Sequence, residues 1–140
     1  MEATISYITL GVSDLKRAVE FYQKVLGLKT KGIIGEEFND GAVAFFKVNT
    51  DLTLALWPRE SLARQCGVPL GSPNSSGLLL AHNVGSTEKV DQVIASALKA
   101  GATLTKEAAE FPWGGYGGVF MDLDGHLWEV VFNPNSSSNT

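Results

Sequence analysis

The chain has 140 residues, 44% hydrophobic and 19% charged, enough to bury a sizeable core and in line with an ordinary globular domain. Its net charge of −4, with no basic cluster, argues against a nucleic-acid partner, and no apolar run is long enough to span a bilayer. The single cysteine, Cys66, excludes an internal disulfide framework, and the first residues lack the basic and apolar regions of a signal peptide, so the expected location is cytoplasmic.

Residues 5–12 alternate as a strand, with Ile5, Tyr7, Thr9 and Gly11 on one face and Ser6, Ile8, Leu10 and Val12 on the other. Ser13 and Asp14 offer an N-cap, and Leu15, Ala18, Val19, Tyr22 and Leu26 form a helical stripe that Gly27 stops. Strands are expected over 28–34, 42–48 and 52–57, separated by turns at Asp40-Gly41 and Asn49-Thr50-Asp51. Pro58 closes the series, because it has no N–H for a central ladder. The first module, residues 4–58, therefore reads βαβββ. Residues 59–66 suit a short helix and 67–77 are dense in Gly, Pro and Ser, so 59–77 is the expected connector.

The order then repeats over 78–134. A strand at 78–84 precedes a helix capped by Ser86 or Thr87, with the stripe Val90, Val93, Ile94, Ala97 and Leu98 ended by Gly101. Strands at 102–106, 119–122 and 127–132 complete the second βαβββ module, and the polar residues 135–140 are expected to form a flexible tail. A module of this kind exposes one sheet face, which a second copy can bury. The expected fold is α+β, a single domain over 1–134 whose two βαβββ modules form a curved mixed sheet around a cleft. Such clefts are the usual place for ligands.

The stretch 122–134, D-L-D-G-H-L-W-E-V-V-F-N-P, sets a lone carboxylate, Glu129, in an apolar strand that follows an Asp124-Gly125 turn. Burying that carboxylate unpaired is costly, so it points to solvent or meets a donor, a metal or a ligand. Together with V-S-D-L-K-R-A-V-E-F-Y-Q-K-V-L-G-L at 12–28 and the doubled module, the D-L-D-G-H-L-W-E motif resembles the vicinal oxygen chelate family, which includes glyoxalases, extradiol dioxygenases and bleomycin-resistance proteins. The resemblance implies, in metal-using members, four histidine or glutamate ligands from equivalent strands of the two modules. Those positions fall here on Tyr7, Ala55, Leu78 or Leu79, and Glu129. Only Glu129 is a competent donor, so no metal and no cofactor are expected, and metal-dependent glyoxalase or dioxygenase activity is not. Of the two histidines, His126 sits in the turn, and His82 is either a structural residue or a cleft-facing one.

Thr53, Ala55 and Trp57 occupy the strand related by the repeat to that of Glu129, and with Phe46, Leu79, Trp113, Tyr116 and Glu129 they are the expected ligand contacts. The glycine-rich run 113–118 lies between expected strands, either as a mobile hairpin or as a place where a flat ligand approaches, with Trp113 and Tyr116 at its edges. The leading expectation is a metal-free protein resembling the bleomycin-resistance branch, a homodimer that binds a small organic ligand of cationic or hydroxyl-bearing character. One alternative is a lyase or isomerase-type glyoxalase relative with Glu129 as general base, assisted by Tyr7 or His82. Another is a structural dimer with an unused cleft.

Overall fold

The computed structural model describes residues 5–71 and 77–135. The chain divides into two compact units, Met1–Ser72 and Pro73–Thr140, with the boundary inside the expected connector. The N-terminal unit runs β1 (Tyr7–Val12), α1 (Leu15–Val25), β2 (Thr30–Ile34), β3 (Val43–Lys47), β4 (Thr53–Pro58) and α2 (Arg59–Cys66). The C-terminal unit runs β5 (Leu79–Asn83), α3 (Thr87–Lys99), β6 (Thr103–Glu110), β7 (Tyr116–Met121) and β8 (Leu127–Phe132). The middle of the connector, 72–76, and the expected tail beyond residue 135 lie outside the described residues.

Each unit is a four-stranded mixed sheet, ordered β1-β4-β3-β2 in the first and β5-β8-β7-β6 in the second, giving the expected α+β class. In both, the first and last strands of the module pair in parallel and the other pairs are antiparallel. Local sequence explains the helices. The Asp14 carboxylate accepts the amide of Arg17 at 3.1 Å and opens α1, while the Ser86 hydroxyl accepts the amide of Lys89 at 3.1 Å and opens α3. Glycines in the left-handed region, Gly27 at φ 64° and Gly101 at φ 106°, follow the two helix ends.

Period-two alternation gives each sheet a helix side and an open side. In the N-terminal unit Leu10, Val12, Ala44, Phe46, Leu54 and Leu56 are buried together with Ala18, Val19, Phe21, Tyr22 and Val25 of α1. The rings of Tyr22 and Phe46 lie 6.3 Å apart. In the C-terminal unit Phe120, Trp128 and Val130 form the helix side, with Val90, Val93, Ile94 and Ala97 of α3. The turn before β8 is tied by the Asp122 carboxylate, which accepts the amides of Asp124 at 2.9 Å and His126 at 2.8 Å.

The largest departure from the expected elements is β7. It begins at Tyr116 and takes Gly117 and Gly118 into the ladder, and β6 extends to Glu110 to pair with it. These glycines serve close approach. A Cβ on Gly118 would lie 2.9 Å from Ile94 Cδ1 and equally close to backbone atoms of Ala108 and Lys106, and one on Gly117 would lie 2.6 Å from the Val130 carbonyl oxygen.

Candidate functional site

The open side of the N-terminal sheet carries Tyr7, Thr9 and Gly11 from β1, Thr53, Ala55 and Trp57 from β4, and Phe45 and Lys47 from β3, as the strand register dictates. One end of this face is covered by α2. A Cβ on Gly11 would meet Leu62 Cδ2 at 3.2 Å and the Arg59 Cα at 3.4 Å, so the glycine lets the helix lie against the strand.

Asp40 fixes α2 there from outside the sheet. Its carboxylate accepts from Arg64 (Nη2 at 2.6 Å, Nε at 3.1 Å), from the Ser61 hydroxyl at 3.0 Å and from Gln65 at 3.4 Å. Its carbonyl accepts the Trp57 indole N–H at 2.7 Å. Hydrogen bonding from Arg64 above all holds the Asp40 carboxyl well below the usual carboxylate range, helped by Ser61 and Gln65 and opposed by desolvation. Asp40 reaches this position with φ 55°, and among the described residues it is the one non-glycine with positive φ.

The other end of the face is concave. A cavity of about 560 Å³ is lined by Tyr7, Thr53, Phe45, Lys47 and Ile34 together with residues 29–32. Tyr7 and Phe45 meet edge to face, with ring centroids 5.9 Å apart, and both remain exposed. The wall contributed by β2 depends on a bulge. Thr30 pairs with Phe46 and Ile33 with Ala44, so three steps on β2 match two on β3. Gly32, at φ 94°, occupies the bulge, and its amide donates to the Thr30 hydroxyl at 3.2 Å. The added residue lets Lys31 and Ile34 both belong to the open side although they are three positions apart.

The open side of the C-terminal sheet is built on the same register with other residues. Ala81, Glu129, Val119 and Lys106 form one row across β5, β8, β7 and β6. Leu79 and Leu127 stand in the next row, and Leu79 is exposed. Phe111 reaches over Gly117 toward this side, where a Cβ on the glycine would meet Phe111 Cε2 at 3.1 Å. Trp113 stacks on Phe111 at 5.3 Å and 14°, and the Lys106 ammonium lies 5.7 Å from the Phe111 ring centre.

Several residues singled out from the sequence fall on these open faces. Tyr7 and Thr53 line the cavity. Ala55 and Trp57 share its face, although Ala55 is buried and the Trp57 indole N–H is bound to Asp40. Glu129 and Leu79 share the open face of the other sheet. Phe46 does not belong to a ligand face: it is fully buried on the helix side, one residue out of phase with Phe45, which takes the exposed position.

Tyr116 is likewise on the helix side, where its hydroxyl donates to Asp91 at 2.7 Å and the Asp91 carboxylate raises the phenol's pKa. His82 pairs in register with Val130 while Ala81 pairs with Glu129, so His82 and Glu129 are on opposite faces and do not act together. Burial, and to a lesser degree the Lys89 ammonium, lower the affinity of His82 for a proton. Trp113 is exposed, but its stacking partner is Phe111 of its own hairpin. Ile34, Phe111 and the lysines at 29, 31, 47 and 106 did not stand out in the sequence, because their faces are set by pairing register and bulges.

The four positions where metal-using relatives hold ligands can be tested on their chemistry. Tyr7 and Ala55 stand on the open face of the first sheet, Leu79 and Glu129 on that of the second. Alanine and leucine offer no electron pair, so these residues do not fit a divalent ion. Among the described residues no group of three or more His, Cys, Asp and Glu side chains gathers at a common point.

The sequence model of the glyoxalase/bleomycin resistance protein/dioxygenase superfamily matches residues 4–130. No curated protein matches the chain. Among solved structures, a glyoxalase-related enzyme from Fulvimarina pelagi is 29% identical with a TM-score of 0.82, covering 99% of this chain and 96% of its own. A glyoxalase/bleomycin resistance protein/dioxygenase from Nocardioides is 24% identical with a TM-score of 0.70, covering 100% and 90%. A genomically encoded fosfomycin resistance protein from Listeria monocytogenes is 22% identical with a TM-score of 0.70, covering 96% and 97%. The last two share the fold at a level of identity that says nothing further. With a family match over nearly its whole length and the doubled βαβββ order, the chain belongs to the glyoxalase/bleomycin resistance protein/dioxygenase superfamily.

Proposed function

We propose that this protein binds a small organic molecule on the open face of its N-terminal sheet, without a bound metal. The observation that carries this reading is the cavity of about 560 Å³ beside the exposed Tyr7–Phe45 pair. Its size lies within the roughly 300–1,000 Å³ common for small-molecule sites, and its aromatic wall suits a flat or branched apolar body. The clamp at Asp40 supports the same reading, because it holds α2 over one end of the face and leaves the other end open. The cytoplasm is the compartment we assign, on the strength of the single unpaired Cys66. Among the described residues no helix is long and apolar enough to cross a membrane.

Thermal-shift screening of a compound library against the wild-type protein and Phe45→Ala tests the proposal. Ligands that stabilise the wild type and lose their effect in Phe45→Ala support it; stabilisation that is indifferent to Phe45 contradicts it. Metal analysis of the purified protein is the companion measurement, and stoichiometric zinc, nickel or iron would remove the metal-free part.

A second reading, proton transfer by Glu129, draws on the position of that carboxylate on the open face of the C-terminal sheet, next to Ala81 and Val119. The relative from Fulvimarina pelagi is described as a glyoxalase-related enzyme, which keeps catalysis in view. Glu129→Gln abolishes turnover under this reading, and undiminished turnover ends it. A third, a homodimer in which a second copy covers Tyr7, Phe45 and Leu79, draws on the exposure of those side chains. Light scattering that gives a dimer unable to take up any compound would favour it over ligand binding.

A further inference from the structure

We propose that the molecule bound on the N-terminal sheet is an amphipathic organic anion: an aromatic or branched apolar body on Tyr7, Phe45 and Ile34, with a carboxylate, sulfonate or phosphate group held by Lys29, Lys31 and Lys47. This inference rests on the face being a small-molecule site, and adds to it the charge of the ligand, an anion in place of the cationic or hydroxyl-bearing molecule expected from the sequence. Three of the nine residues lining the cavity are lysines, and none is acidic. The whole chain has 11 Lys and Arg against 15 Asp and Glu, so the lining reverses the balance of the protein. At physiological ionic strength charges beyond about 8 Å are largely screened, and a ligand in the cavity therefore feels the three nearby ammonium groups more than the net charge.

Among the described residues none of these three lysines makes an ion pair or a side-chain hydrogen bond. Three like charges around one concavity repel one another, and a bound anion offsets that repulsion. Lysines on a sheet edge also protect it against pairing with other chains, and β2 is an edge strand. That role accounts for Lys31, and for Lys29 just before the strand. It does not account for Lys47, which lies on the interior strand β3, in one row with Thr53 and Tyr7 on the open face. The bulge at Gly32 lets the two lysines of the β2 segment share the cavity with Ile34.

The test compares two fluorescent probes with one skeleton: anilinonaphthalene sulfonate, and phenylnaphthylamine, which lacks the sulfonate. Each is titrated against the full-length wild type, the triple variant Lys29→Gln/Lys31→Gln/Lys47→Gln, and a control triple variant, Lys16→Gln/Lys24→Gln/Lys99→Gln, that changes the net charge equally at exposed helix positions. We expect the cavity variant to weaken the sulfonate roughly tenfold while phenylnaphthylamine stays within about twofold, and the control to leave both within about twofold. Equal losses of sulfonate binding in both triple variants, or no loss in either, overturn the inference. With Phe45→Ala titrated alongside, phenylnaphthylamine binding that is lost in Phe45→Ala, combined with sulfonate binding that ignores the three lysines, leaves the small-molecule site standing and removes its charge selectivity. Failure of the wild type to bind either probe removes both.

Discussion

The two sheets pair their strands in the same order, and on their helix sides they carry the same kind of residue: Leu10, Leu54, Leu56 and Phe46 in one, Trp128, Val130 and Phe120 in the other. Their open sides differ. Where the N-terminal sheet has Tyr7 and Ala55, the C-terminal sheet has Leu79 and Glu129; the first is ringed by three lysines, the second crossed by a row that includes Glu129 and Lys106. The helix side is constrained by close packing, which penalises both cavities and overpacking. Away from α2 the open side has no such constraint, so charge and shape there are free to differ between halves of one plan.

Two neighbours on β3 separate the helix side from the open side most strongly. Phe46→Ala empties a fully buried position against Tyr22 and should cost about 3–5 kcal/mol in denaturant unfolding. Phe45→Ala, one residue earlier and exposed, should cost less than about 1 kcal/mol and remove ligand binding. A similar cost for the two would mean that the faces are not distinct. The helix side of the second sheet is tested by Gly118→Ala, whose Cβ would collide with Ile94 and with the backbone of Ala108 and Lys106. A loss of about 1–3 kcal/mol is expected, measured by the same unfolding experiment.

The units should also answer differently to pH. In the C-terminal unit the folded-state pKa of His82 is lowered from 6.5, so its neutral form contributes stability above that value, and this is lost as pH falls through the depressed pKa. Between about pH 8 and about pH 5 the melting temperature of the wild type should therefore fall further than that of His82→Gln. In the N-terminal unit the Asp40 carboxyl is held below 3.8, so its contribution is present above that value and fades in stronger acid. The difference in melting temperature between the wild type and Asp40→Asn should be constant near neutrality and narrow below about pH 4. Profiles that run parallel throughout would remove these two groups as sources of the pH response.

The doubled module was legible because caps, stripes and stop signals act locally: Asp14 and Ser86 open the helices, and Gly27 and Gly101 follow their ends. The glycines at 117 and 118 were harder. Glycine usually signals a turn, yet here it sits within a strand because Ile94 and the Val130 carbonyl leave no room for a Cβ. The site was only partly legible. Tyr7 and Thr53 followed from alternation, but alternation along β3 has two phases, and pairing of Ala55 with Phe45 selects the phase that buries Phe46. Lys29 and Lys31 share a face with Ile34 only through the bulge at Gly32, which strict alternation misses. Asp40 looked like a turn residue, and its contacts with residues 57, 61, 64 and 65 come from tertiary folding.

Ligand binding on the open face of the N-terminal sheet can be followed residue by residue. Amide chemical-shift mapping of the isotopically labelled full-length protein, titrated with anilinonaphthalene sulfonate, tests it most directly. Binding there should give saturable shifts at Tyr7, Lys31, Ile34, Phe45, Lys47 and Thr53. Saturable binding that leaves those amides unmoved would contradict it.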